Sequence, residues 1–134
     1  MFTDQEIKIV RETWAMASTD PDAAASLFYG KLFEAAPDVK PLFTADMTDQ
    51  GRKLMQMIGI AVNNMDRIEQ IVPALIELGE RHDDYGAQDA HYPVVGEVLI
   101  DTLRAALGDA FFTEEAELAW ARTYSAVASV MLSR

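Results

Sequence analysis

Cysteine is absent from the chain, which removes disulfides, iron–sulfur clusters, thiol catalysis and every thiolate zinc site together. Long apolar runs are missing too: no stretch of about 18 residues could span a bilayer. The opening Met1-Phe2-Thr3-Asp4-Gln5-Glu6 reads as a helix start rather than a basic, apolar leader, so the expectation is a soluble cytoplasmic protein. Positive charge is scarce, with 11 Lys and Arg against 22 acids and a net charge of −11. Such a surface repels phosphate backbones and anionic lipid, so neither nucleic acid nor a membrane is an expected partner.

Histidine is nearly absent as well. The two in the chain cannot furnish a closed four-ligand zinc site, and the residues three before His82 and His91 are Gly79 and Gln88, not the glutamates of a di-iron bundle. No Gly-x-Ser-x-Gly elbow, phosphate-binding loop or dinucleotide fingerprint occurs. Ordinary hydrolytic and nucleotide chemistry therefore has no support.

Half of the 134 residues are apolar, enough for one domain, 1–134, with a core that needs no staples. The apolar residues keep helical spacing almost throughout, and no hairpin turn separates alternating runs, so the fold class is all-α. Thr3 and Glu6 fit a capping box, and the face Ile7, Val10, Trp14 predicts a first helix to about Ser18. Asp20-Pro21 opens a second, which carries Leu27, Phe28, Leu32 and Phe33 and ends before Pro37. The polar stretch Thr44 to Asp49 is expected to be a mobile loop, followed by a helix bearing Leu54, Ile58, Ala61 and Met65. Another helix starts near Asp66 or is reset at Pro73, and Gly86 ends it. Asp89 is expected to cap the next helix, which stops at Gly108, and Thr113 the last.

A cofactor that asks the protein for only one ligand is compatible with so few donors. Haem is of that kind, since the porphyrin supplies four nitrogens and one imidazole can hold the iron. His82 closes the apolar face Ile71, Leu75, Leu78, whereas His91 precedes Tyr92-Pro93 at the mouth of the following helix. On spacing alone His82 reads first as a core or boundary histidine.

The ordered motifs add to this. Leu27-Phe28-Tyr29-Gly30-Lys31-Leu32-Phe33, Pro37, Pro41-Leu42-Phe43 and Gln50-Gly51-Arg52-Lys53-Leu54-Met55 resemble the first half of a globin. Leu78-Gly79-Glu80-Arg81-His82, Tyr85-Gly86 and His91-Tyr92-Pro93-Val94-Val95-Gly96-Glu97 resemble the second half, as found in bacterial single-domain haemoglobins, flavohaemoglobin head domains and neuroglobin. The resemblance covers nearly the whole chain. It implies a globin fold, three helices over three around haem b, with the D helix short or absent.

By that resemblance His82 is the proximal iron ligand, its other ring N–H fixed by a backbone carbonyl near Leu78, and Phe43 wedges the porphyrin. Tyr29 and Gln50 correspond to the pair that hydrogen-bonds dioxygen in the bacterial relatives, and Leu54 to the wall beside them. Read without the resemblance, Tyr29 is a buried tyrosine, Gln50 a solvent-facing residue and Phe43 core. Lys53 matches a lysine that pairs with a haem propionate, or is a solvated helix lysine. Phe28, Ile58, Leu78, Arg81, Ala87, Tyr92 and Val95 would complete the cofactor contacts, the apolar ones being core at helical spacing in any case.

One departure bears on mechanism. Flavohaemoglobins carry a late carboxylate that polarises the proximal histidine, with a tyrosine matching Tyr92; here the last acid is Glu117, so that push is expected to be missing, as is the reductase domain. The resemblance implies reversible binding of dioxygen, and of nitric oxide or carbon monoxide, with high oxygen affinity. Its alternative is nitric oxide dioxygenation fed by an external reductase. A haem-free helical protein that binds partners through packing is a third class.

Overall fold

The computed structural model describes residues 2–44 and 46–133. Six α-helices follow one another: α1 Asp4–Ala17, α2 Pro21–Ala35, α3 Met47–Asn63, α4 Val72–Asp84, α5 His91–Leu107 and α6 Glu114–Met131. Two 3₁₀ helices, Pro37–Leu42 and Met65–Gln70, sit before and after α3. Among the described residues no strand occurs, and no helix is long and apolar enough to cross a membrane.

The helix starts follow local chemistry. Thr3 accepts from the Glu6 amide while the Glu6 carboxylate accepts from the Thr3 amide, a complete capping box. Asp20 accepts from the Ala23 amide with Pro21 at the first helical position, and Thr113 accepts from the Ala116 amide. Gly86 and Gly108 adopt φ of 96° and 75° at the ends of α4 and α5, the left-handed region where a side chain is strained.

Three expectations need correction. The loop expected over Thr44 to Asp49 is shorter: Asp46 caps α3 by accepting from the Thr48 and Asp49 amides, so Thr48 and Asp49 are already helical. Ala45 lies outside the described residues. The helix expected near Asp66 or at Pro73 divides into a 3₁₀ turn and an α-helix, with Pro73 in the first turn of α4, where its missing N–H costs nothing. Asp89 does not occupy the cap position of α5; Ala90 does, and the nearby Gln88 amide donates instead to His91 Nδ1.

The helices stack in two layers, α1, α3 and α4 against α2, α5 and α6, the three-over-three arrangement expected. α2 packs on α3 and α5, and α6 on α1, α4 and α5. The core has two parts. The larger joins α1, α2, α5 and α6 around Val10, Phe28, Leu32, Leu103 and Trp120. In its depths Trp120 Nε1 donates to Thr13 Oγ1 at 2.8 Å, so the buried indole is satisfied. The smaller part joins Leu75, Tyr92, Ala128 and Met131 of α4, α5 and α6.

Two close approaches set the spacing of the layers. A Cβ on Gly79 would lie 2.2 Å from the Met131 carbonyl oxygen, so α4 rests directly on the backbone of α6. A Cβ on Gly51 would lie 2.8 Å from Ala25 Cβ, which lets α3 meet α2 at the residue after Gln50.

Candidate functional site

His82 lies in the last turn of α4, half-buried, with its ring 6.5 Å from that of Tyr92 and 6.2 Å from that of Tyr85. Its Nδ1 is 2.8 Å from the Leu78 carbonyl oxygen. A carbonyl only accepts, so Nδ1 carries the proton and the Nε2 lone pair is left to a metal. The contact with Leu78 is thus the one that the sequence suggested. Gly79, pressed on α6 one turn earlier, fixes the height of the helix that carries the ring.

Tyr29 sits in the middle of α2, 7% exposed, within a set of aromatic rings. Phe28 and Phe43 meet it edge-on at 5.1 and 5.3 Å, Phe33 stacks at 6.0 Å, and Phe33 meets Phe43 at 5.4 Å. Burial pushes the Tyr29 hydroxyl above its ordinary pKa of 10.0, and the nearby Gln50 side chain pulls partly the other way. The two polar side chains of the candidate distal set therefore lie near each other, although they come from different helices. The hydroxyl stays protonated, and a phenol is a donor.

Around these groups the apolar side chains are only half-buried. Phe43, Leu54, Ile58 and Val95 fringe the larger core, and Leu78 the smaller, whereas Phe28 and Tyr92 lie within the cores. Ala87 is half-buried in the turn after α4. Lys53 is exposed on α3, and exposed Arg81 pairs with Glu77 at 2.8 Å. Both cations stand on the helices that carry Leu54 and His82.

Contacts that the sequence did not single out hold the frame. His91 Nδ1 accepts from the Gln88 amide at 3.1 Å, so Nε2 carries the proton and donates to Asp38 at 3.0 Å. That bond holds the Asp38 carboxyl below its ordinary value. It ties the 3₁₀ turn before Phe43 to the start of α5, and Leu42 lies 3.1 Å from where a Gly86 Cβ would be. The Tyr124 hydroxyl donates to the Tyr92 carbonyl at 2.6 Å, and its ring covers Gly96, where a Cβ would come within 2.8 Å. Glycine inside a helix, at Gly51, Gly79 and Gly96, was the available signal.

Residues 26–131 match the globin family model. The chain belongs to the globin family. Among curated proteins it is similar to flavohemoproteins of Vibrio cholerae, 28% identical over all of this chain, and of Bacillus subtilis, 26% identical over 98% of it. That of Halalkalibacterium halodurans is 30% identical over 96% of this chain. The globin spans about a third of the length of these relatives: 34%, 34% and 32%. Among solved structures, a bacterial globin from Campylobacter jejuni superposes with a TM-score of 0.82 at 24% identity, covering 95% of this chain and 91% of that one. An engineered carbene transferase from Rhodothermus marinus, described as a nitric oxide dioxygenase, gives 0.85 at 25% identity over 98% and 91%.

Membership of this family implies haem, and the residues present fit it. One imidazole nitrogen left open by the Leu78 contact, a half-buried apolar fringe, and a buried tyrosine with a half-buried glutamine near it make a donor set suited to an apolar macrocycle with a single protein ligand.

Proposed function

We propose that this globin, acting as one domain over 1–134, is a haem b protein that binds dioxygen reversibly and with high affinity. Other diatomic gases, nitric oxide and carbon monoxide, would share the site. The observation that carries the reading is buried Tyr29 with Gln50 near it, in a fold whose α4 presents His82 with Nδ1 turned to the Leu78 carbonyl and Nε2 left open. Haem, when bound, supplies an iron with a position open to a gas. His82 is the residue that would hold it, with Phe43, Leu54, Ile58, Leu78 and Val95 against the ring faces and Lys53 and Arg81 toward its acid groups.

Tyr29 and Gln50 then act as donors toward a gas that carries partial negative charge. Burial strengthens such hydrogen bonds because water does not compete. Each charge-assisted bond of about 1.5–3 kcal/mol corresponds to roughly 10- to 100-fold slower loss of oxygen. Tyr29→Phe and Gln50→Leu are expected to speed oxygen dissociation by that order, measured by stopped-flow displacement with carbon monoxide. Unchanged rates in both variants would remove the distal assignment. His82→Ala is expected to lose the intense Soret absorption of the purified pigment; a colourless wild type that refuses added haemin would remove the haem reading itself.

A second reading, favoured by the likeness to the Rhodothermus protein, is nitric oxide dioxygenation, in which nitric oxide, dioxygen and one electron give nitrate. The electron would come from an external reductase. Mixing the oxygenated protein with nitric oxide should yield one nitrate per haem, and repeated turnover with a cellular reductant separates an enzyme from a carrier.

A further inference from the structure

Segment 85–90 joins the last turn of α4, which carries His82, to α5. It turns at Gly86 with φ 96°, its Ala87 amide donates to the His82 carbonyl at 2.9 Å, and its Gln88 amide donates to the His91 ring at 3.1 Å. His91 is thus a template for the backbone beside the candidate iron ligand. Its side chain is 15% exposed, so the ring has a fixed seat.

Facing this segment is the 3₁₀ turn Pro37–Leu42. Buried Val39 roots the turn in the larger core, and the turn passes straight into Phe43, whose amide donates to the Lys40 carbonyl and whose ring meets those of Tyr29 and Phe33. Two contacts join the facing segments: Leu42 against Gly86, and the Asp38 carboxylate on His91 Nε2.

The second contact is chemically particular. The ring accepts at Nδ1 and donates at Nε2, which a neutral imidazole does and neither lysine nor arginine can. Asp38 is 69% exposed, and a polar contact so open to water adds little to the stability of the whole fold. Its leverage is local, because opening one segment costs only the contacts that this segment makes.

We propose that Asp38 and His91 are positioning residues that clasp the two walls of the haem site and govern how long the group is retained, while Tyr29 and Gln50 govern how long a gas is retained. The inference rests on the haem-globin reading. Phe43 stands on one wall and His82 on the other, so parting 37–43 from 85–91 withdraws both from a bound macrocycle, and the clasp resists that motion.

Two rates measured on the haem-loaded protein test it: haemin loss to an apomyoglobin scavenger, and oxygen dissociation by stopped flow. Asp38→Ala and His91→Ala are each expected to speed haemin loss several-fold, and the double variant no further than either alone, since the two residues share one bond. Oxygen dissociation is expected to keep its wild-type rate in all three. Asp38→Asn retains an oxygen that accepts from Nε2 and is expected to keep haemin loss slow. Haemin loss unchanged in Asp38→Ala, additive effects in the double variant, or Asp38→Asn as leaky as Asp38→Ala would overturn the proposal. Asp38 is exposed, so its two variants carry the test even if His91→Ala does not fold. The Soret band of the starting samples reports haem independently: a colourless wild type fails on the haem reading, whereas normal pigment lost at one rate from every variant fails on this inference alone.

Discussion

His82 owes its tautomer to one carbonyl, and Tyr29 its protonation to its neighbours. The Leu78 oxygen takes the Nδ1 proton, and the rings around Tyr29 make a phenolate costly. Tyr124 is in the same position, its hydroxyl raised well above 10.0, chiefly by burial. The sign follows directly. Folded chains hold these two protons at pH values where unfolded chains release them, so the stability due to them is complete below 10.0 and is lost as pH rises through the raised folded values. Wild type is therefore expected to lose stability in urea steeply above the ordinary tyrosine range, and Tyr29→Phe and Tyr124→Phe each to flatten that loss. Denaturation midpoints compared at neutral and strongly alkaline pH decide it; parallel curves for all three proteins would refute it. At this scale the sequence was informative about residue types and weak about partners. That Tyr29 and Gln50 belong to one site was implied by the resemblance, but how near they lie depends on how closely α2 and α3 approach. The bond between His91 and Asp38, 53 residues apart, had no local signature at all.

Helix ends were legible because capping is local chemistry. Thr3, Asp20 and Thr113 each satisfy amides two or three residues away, and the geometry of a first turn leaves them few alternatives. The misreadings arose where a polar residue had competitors. Asp46 takes the cap of α3 three residues ahead of Asp49, and at α5 the ring of His91 receives the Gln88 amide. Helix contacts were less legible, since an interior glycine signals a close approach without saying to what. Gly79 meets the backbone of Met131, which no rotamer change can move aside. Gly79→Ala is expected to destabilise the fold by about 1–3 kcal/mol and to displace α4 with His82 on it. A lower urea midpoint together with faster haemin loss to an apomyoglobin scavenger is the anticipated result; unchanged haemin loss would show that α4 does not depend on this contact. Gly30, with nothing near its missing Cβ, is the control, and an alanine there should be tolerated.

The whole molecule is built as two cores with the candidate site between them. The larger core draws on α1, α2, α5 and α6, whereas the smaller rests on Leu75, Tyr92, Ala128 and Met131. An apolar group bound between them would add burial to both and so stabilise the folded state by mass action. Haemin is expected to raise the thermal midpoint of wild type in a concentration-dependent way and to have little effect on His82→Ala; equal shifts in both would place the ligand elsewhere.

Composition and periodicity were sufficient for an all-α chain and for the helix starts at Thr3, Asp20 and Thr113, while the ordered motifs that resemble a globin singled out His82, Tyr29, Gln50 and Phe43. The helical periods and caps rest on interactions within one or two turns, which an uninterrupted run of residues contains. The nearness of Tyr29 to Gln50, the clasp between Asp38 and His91 and the seat of α4 on α6 came from packing alone. They depend on distances between helices, and those distances are set by which side chains are missing at each crossing.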